Sequence, residues 1–206
     1  MNRVLPILFN TDMVKALLDG RKTVTRRIMK PQPLFYTGRK YIFADNECPP
    51  KWQCCDNIID TYQYQAGDIL YVRETWQYLC ELDGNEQIIE GTGKYYYAAT
   101  DTLPSGGYVD SWGTTHETIP WRPSIHMPKE AARIWLKVTG VGIERLQDID
   151  DNGILKEGLE IGCYFEDIWN STIKKSDRGK YGWEANPWVW VIGFERCGKP
   201  GSEVGK

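Results

Sequence analysis

Val4, Leu5, Ile7, Leu8 and Phe9 form a nearly continuous apolar run that stops at Asn10-Thr11-Asp12. A run that short, closed by turn residues, predicts a strand over Val4–Phe9. Met13, Val14, Leu17 and Leu18 then recur at helical spacing, with Thr11 as the expected N-cap and Gly20 as the expected stop. Thr23–Met29 is rich in β-branched residues and reads as a second strand, broken by Pro31-Gln32-Pro33. A turn at Gln65-Ala66-Gly67-Asp68 leads into a strand over Ile69–Arg73. Ile134, Leu136 and Val138 alternate and are followed by Val141 and Ile143. That phase change predicts one long strand over Arg133–Arg145, bulged at Gly140 or Gly142. A helix near Asp150–Gly158, capped by Asp150 or Asp151, and another near Tyr164–Lys174 come next. The final strand runs from Pro187 to Phe194 and ends by Cys197, with Trp188 and Trp190 on one side of it.

Two stretches lack a sustained period. Residues 34–62 contain Pro49-Pro50 and a cysteine cluster and read as an irregular insertion. Residues 81–125 read as a second insertion, holding a hairpin around Asp83-Gly84, an extended piece over Lys94–Ala99 and a loop with Gly106-Gly107, Pro120 and Pro123. Short strands, few helices and a late closing strand together predict an α+β chain. Its expected core is a small mixed β-barrel carrying two or three helices, one domain over residues 1–197. The tail Gly198–Lys206 is expected to be disordered. No internal repeat or low-complexity tract is present.

With 206 residues the chain is long enough to bury a core. Aromatics make up 13% of it and include nine Trp, which core packing or ligand stacking must account for. The net charge of −3 hides an asymmetry: residues 1–40 carry nine Lys or Arg against two Asp or Glu, a balance of +7, so the rest carries −10. A basic face on an acidic body fits a localised anionic partner, or else is a solvated surface. The opening apolar run is too short for a secretory signal, and no stretch approaches the roughly 18 apolar residues of a membrane span. A cytoplasmic protein with reduced thiols and no membrane partner is expected. Its six cysteines follow no zinc template, and Cys48, Cys54 and Cys55 read as free thiols rather than as ligands with His116 or His126. Asp150-Asp151 and Glu166-Asp167 fit helix caps and solvated positions better than a two-metal site. Without a P-loop, a dinucleotide fingerprint or a metal motif, no cofactor is expected.

The most reactive pattern is Gly20-Arg21-Lys22-Thr23-Val24-Thr25-Arg26-Arg27. A lysine close to a threonine, in cationic surroundings, has two uses. It holds a phosphate or nucleobase, or it deprotonates the hydroxyl for attack once its own pKa is pulled down. Lys22 and Thr25 differ by an odd number, so a regular strand puts them on opposite faces. Lys22 must then sit in the turn after Gly20, outside the strand. Further along, Arg73 and Glu74 are candidates for a pocket mouth and Trp76 for a stacking face or a core position. Arg122, Lys129 and Arg133 are candidates for a phosphate rim.

Taken in order, the basic segment, Ala66–Trp76, Glu144–Ile149 with Lys156-Glu157-Gly158, and the closing Asn186–Glu195 resemble the ASCH domain family. The likeness spans residues 4–197 and is strongest to the larger, phage- and prophage-associated members. The resemblance implies a PUA-like β-barrel that binds RNA or a modified nucleoside. One branch of small bacterial members hydrolyses N4-acetylcytidine to cytidine and acetate with a lysine, a threonine and a glutamate. Its K-T-x-T stretch is similar to Lys22-Thr23-Val24-Thr25, so its lysine falls on Lys22 and its threonine on Thr25. Its glutamate, in the helix after the long strand, falls on Glu157. Arg21, Arg26, Arg27, Arg73, Glu74 and Trp76 are the substrate-binding candidates. This chain is longer than those enzymes, carries the two insertions, and has Arg26-Arg27 where they have less positive charge. The alternatives to an amidohydrolase are a non-enzymatic RNA-binding or phage-associated interaction module, and a metal-independent ribonuclease.

Overall fold

The computed structural model describes residues 3–33, 35–36, 41–44, 52–55, 59, 62–85, 87–109 and 115–201. Its centre is a mixed five-stranded sheet. Strands β1 (Val4–Leu8), β2 (Val24–Ile28), β6 (Ile69–Arg73), β11 (Trp135–Arg145) and β12 (Trp188–Cys197) build it in the order β1-β6-β11-β12-β2. β1 lies parallel to β6, in the register Val4 opposite Ile69 to Leu8 opposite Arg73, and the other neighbours are antiparallel. The β11–β12 ladder shifts register between Val138 and Gly140, which is the bulge the broken alternation predicted.

Among the described residues the sheet does not close into a barrel, because β1 and β2 remain its edges. One β2 side chain reaches β1 across the gap, and Tyr64, from the segment before β6, also bonds β1. Arg27 Nη2 donates to Leu8 O (2.9 Å) and Tyr64 donates to Pro6 O (2.6 Å). Pro6 has no N–H for a ladder and suits an edge. The inward positions alternate as expected: Leu70 and Val72, Leu136 and Val138, Trp190, Ile192 and Phe194 pack with Ile7 and Phe9 into one core. Helix α1 (Thr11–Leu18) closes over it with Val14 and Leu17. The expected cap is off by one residue, since Asn10, not Thr11, accepts from Met13 N (2.8 Å). Trp190 stacks on Tyr62 at 4.3 Å, and Trp188 packs against the same cluster beneath Arg145.

Residues 34–62 are not simply irregular. β3 (Phe35–Tyr36), β4 (Tyr41–Ala44) and β5 (Trp52–Cys55) form an antiparallel three-stranded sheet. Apart from residues 59 and 62, the rest of that stretch, Cys48 included, and tail residues 202–206 lie outside the described residues. β7 (Trp76–Leu79), just before the second insertion, pairs with β8 (Lys94–Tyr97) inside it, and β9 (Tyr108–Val109) pairs with β10 (Thr115–His116). The hairpin tip at Asp83-Gly84 is present, closed by a Leu82–Ile88 bridge.

Three helices follow β11: α2 (Asp151–Lys156), α3 (Phe165–Thr172) and the short α4 (Arg178–Tyr181), which the pattern did not announce. Asp150 caps α2 by accepting from Gly153 N (2.7 Å). α3 packs Phe165, Trp169 and Ile173 against Leu146 and Val189 in a separate cluster. Among the described residues no helix is long and apolar enough to cross a membrane.

Candidate functional site

β2 is an edge strand, so its outward N–H and C=O groups need partners other than a ladder. The basic segment and the end of α2 supply them. Val24 O accepts from Lys22 Nζ (2.9 Å), and Arg26 N donates to Glu157 Oε1 (2.8 Å). Arg26 O accepts from Arg27 Nη1 (3.2 Å), and Thr23 N donates to Lys156 O (2.8 Å). Lys22 lies before the strand, in an isolated bridge to Glu157, as the odd spacing from Thr25 requires.

A glycine lets α2 come this close. Glu157 is the C-cap of α2, and Gly158 follows at φ +86°, where only a residue without Cβ is unstrained. A Cβ on Gly158 would stand 2.6 Å from Ala16 Cβ and 2.9 Å from Lys22 Cβ. Close packing at that point brings together residues 135 apart in sequence.

The result is a buried charge network. The Lys22 side chain is 0% exposed, and its Nζ donates to Val24 O (2.9 Å), Glu157 O (3.0 Å) and Glu157 Oε2 (2.5 Å). An ammonium has three donors, so Lys22 is saturated. Glu157 Oε1 also accepts from Arg26 Nη1 (3.2 Å), and Arg26 Nε donates to Glu144 Oε1 (2.6 Å). Burial pulls the Lys22 pKa below its ordinary value, and the Glu157 charge offsets part of that pull. In the window between the folded value and the unfolded one, about 10.4, the unfolded chain binds the extra proton, so stability rises with pH. Urea midpoints measured across alkaline pH should therefore climb more in the wild type than in Lys22→Met. Parallel curves would show that Lys22 keeps an ordinary pKa.

Thr25 is fully buried, and its Oγ1 accepts from Arg27 Nη1 (3.0 Å) rather than from Lys22. Arg27 reaches on to Leu8 O and lies over the Phe9 ring, which Lys22 also approaches at 5.5 Å. In front of this floor opens a cleft of about 730 Å3, within the range of ligand pockets. Thr25, Arg26, Arg27 and Glu157 line it together with Arg21, α1 residues such as Met13, and the α3 side chains Phe165, Ile168 and Trp169. Arg21 is held at the rim by Gly158 O (2.5 Å) and Asp19 (2.9 Å). Thr25, Glu157 and three arginines thus meet on the cleft wall, and Lys22 lies buried behind it against Glu157.

Arg73, Glu74 and Trp76 do not join them. The Arg73 guanidinium donates to Ile125 O and Met127 O. Glu74, 1% exposed, is gripped by Arg133 Nε and Nη2 at 2.9 Å each. Trp76 is core, beneath Arg122 and beside Tyr95. Arg73 and Trp76 hold the second insertion through Ile125, Arg122 and Tyr95, while Glu74 holds Arg133 just before β11 and Lys129 lies over Tyr71. The expected rim of Arg122, Lys129 and Arg133 therefore has each of its members engaged with its own neighbour. Sequence reasoning missed Glu144, Phe9 and the α3 wall. The Phe165, Ile168, Trp169 and Ile173 spacing announced an apolar helix face, and nothing in it said that the face borders a cleft. Among the described residues no cluster of three metal-ligating side chains occurs.

Compared with protein-family models, with curated proteins and with solved structures, the chain matches none.

Proposed function

We propose that the cleft binds RNA or a modified nucleoside and, in its sharpest form, hydrolyses the amide of an N4-acylated cytidine. One observation carries this reading. Of the residues picked out through the resemblance to ASCH amidohydrolases, Thr25 and Glu157 line a ligand-sized cleft, and Lys22, buried behind it, is hydrogen-bonded to Glu157. The chemistry balances. Lys22 passes a proton to Glu157 Oε2 along their short hydrogen bond. The free amine takes the Thr25 proton as Oγ1 attacks the acyl carbon. Collapse of the intermediate breaks the C–N4 bond, and the Glu157 carboxyl protonates the departing amine. After Lys22 again hands a proton to Glu157, water attacks the threonyl ester and gives its proton to Lys22. The Thr25 oxygen leaves with the Glu157 proton, and the acid product ionises. For this, Lys22 Nζ exchanges Val24 O or Glu157 O for Thr25 Oγ1, and Arg27 Nη1 releases that oxygen.

The saturation of Lys22 favours a second reading, in which the Lys22–Glu157 pair only holds α2 against β2 and the cleft binds without chemistry. Chromatography of an N4-acylcytidine panel separates the two. The expected result is turnover by the wild type, lost by at least about 100-fold in Thr25→Val, with nucleoside binding retained. Binding without any turnover by the wild type would leave the non-enzymatic reading. A steep fall of RNA affinity with salt would then mark phosphate contacts.

A further inference from the structure

Arg27 is a cation on the cleft wall whose acceptors are all neutral. Nη1 donates to Thr25 Oγ1 (3.0 Å) and Arg26 O (3.2 Å), and Nη2 donates to Leu8 O (2.9 Å). Among the described residues no carboxylate forms an ion pair with it. Its neighbours differ: Lys22 has Glu157, and Arg26 has Glu144 and Glu157. Arg27 is half-buried; drawing a guanidinium even partly out of water without a counter-charge is unfavourable, and burial accordingly lowers its pKa. Of its five donors, those three bonds leave Nε–H and one Nη2–H. Arg133 shows what this pair does in the same fold, since its Nε and Nη2 hold the two oxygens of Glu74. That is the parallel fork that fits a carboxylate.

We propose that Arg27 and the cleft before it form a binding site for the carboxylate of an apolar acid. The site shares its cleft with the amidohydrolase reading and rests on that reading only in identifying the acid as the acyl fragment released from Thr25. Two features select this ligand. Lys15, Arg21, Arg26 and Arg27 line the cleft against Asp12, Glu157 and Glu160, a balance that suits a monoanion better than a dianion. The rest of the wall is largely apolar, with Met13 from α1, Phe165 and Ile168 from α3 and its C-cap Ile173, which suits a tail longer than a methyl group.

Calorimetric titration of acetate, butyrate, benzoate and inorganic phosphate into the whole chain tests this. Butyrate and benzoate are expected to bind at least about tenfold more tightly than acetate or phosphate, two buried methylenes sufficing for that ratio over acetate. Arg27→Gln is expected to lose about tenfold or more for each carboxylate, the scale of a charged hydrogen bond, with melting curves showing the variant folded. Should that variant not fold, Ile168→Ala decides, because it narrows the butyrate-to-acetate ratio with acetate affinity unchanged. Carboxylate binding that survives in folded Arg27→Gln, tighter binding of phosphate, or no carboxylate binding by the wild type overturns the site. Hydrolysis without carboxylate binding defeats this inference alone. Carboxylate binding without hydrolysis supports it and defeats the amidohydrolase.

Discussion

Lys22→Met lowers the stability of the chain by about 3–5 kcal/mol, the usual cost of stranding one partner of a buried ion pair. The substitution leaves the Glu157 carboxylate, 6% exposed, to Arg26 alone. It also removes the donor that Val24 O and Glu157 O share. That is a large part of the 5–15 kcal/mol that holds a typical domain. Urea unfolding reads it directly, and a loss under about 1 kcal/mol would mean that the pair breaks even against its own desolvation. Adding Glu157→Leu should recover most of the loss, because both charges are then gone and Arg26 keeps Glu144. Where the wild type turns over, the double variant also tests the role of the pair. Recovered stability with turnover lost assigns chemistry to it, and recovered stability with turnover kept makes the pair a clamp and moves the chemistry to other residues.

Gly158→Ala is expected to cost about 3 kcal/mol. A left-handed backbone costs an L-residue roughly 1–2 kcal/mol. The new methyl would also press on Ala16 Cβ and Lys22 Cβ, and overpacking adds about 1–3 kcal/mol. Gly20 is the control within the same chain. It too has a positive φ, +76°, but nothing lies within 4 Å of where its Cβ would be. Gly20→Ala should therefore cost only the backbone part, about 1–2 kcal/mol. Equal losses for the two variants would show that the approach of α2 to Lys22 is not tight. A larger loss at Gly158, together with weakened nucleoside binding, would show that this glycine sets the floor of the cleft.

Much of the fold was legible because its signals are local. A turn followed by an apolar run marked β6, alternation marked β11, an apolar run marked β12, helical spacing marked α1, and the phase change at Val138–Gly140 marked the bulge. The short pieces were harder. Two- and four-residue strands such as β3, β4 and β5 hold too few positions to show a period, and Pro49-Pro50 masked them. Asn10 and Thr11 are both good caps, and only backbone geometry chooses between them. Arg73, Glu74 and Trp76 misled for a different reason. Arg73 ends a strand that does lie in the sheet and Glu74 and Trp76 follow it, but their partners are distant in sequence, and 59 residues separate Glu74 from Arg133. No spacing rule carries that information.

Composition and periodicity by themselves determined an α+β chain, the placing of Lys22 before the strand that carries Thr25, and the helix that ends at Glu157-Gly158. Each depends on a residue and its near neighbours, through backbone preferences and the side to which successive side chains point. Tertiary structure alone decided that β2 is an edge, that α2 ends against it, and that Glu157 meets Lys22 across 135 residues. It also decided that Arg27 faces the cleft with no carboxylate partner among the described residues. These features follow from the register of five strands and the close approach at one glycine, and burial then determines which charges must find each other because water no longer screens them.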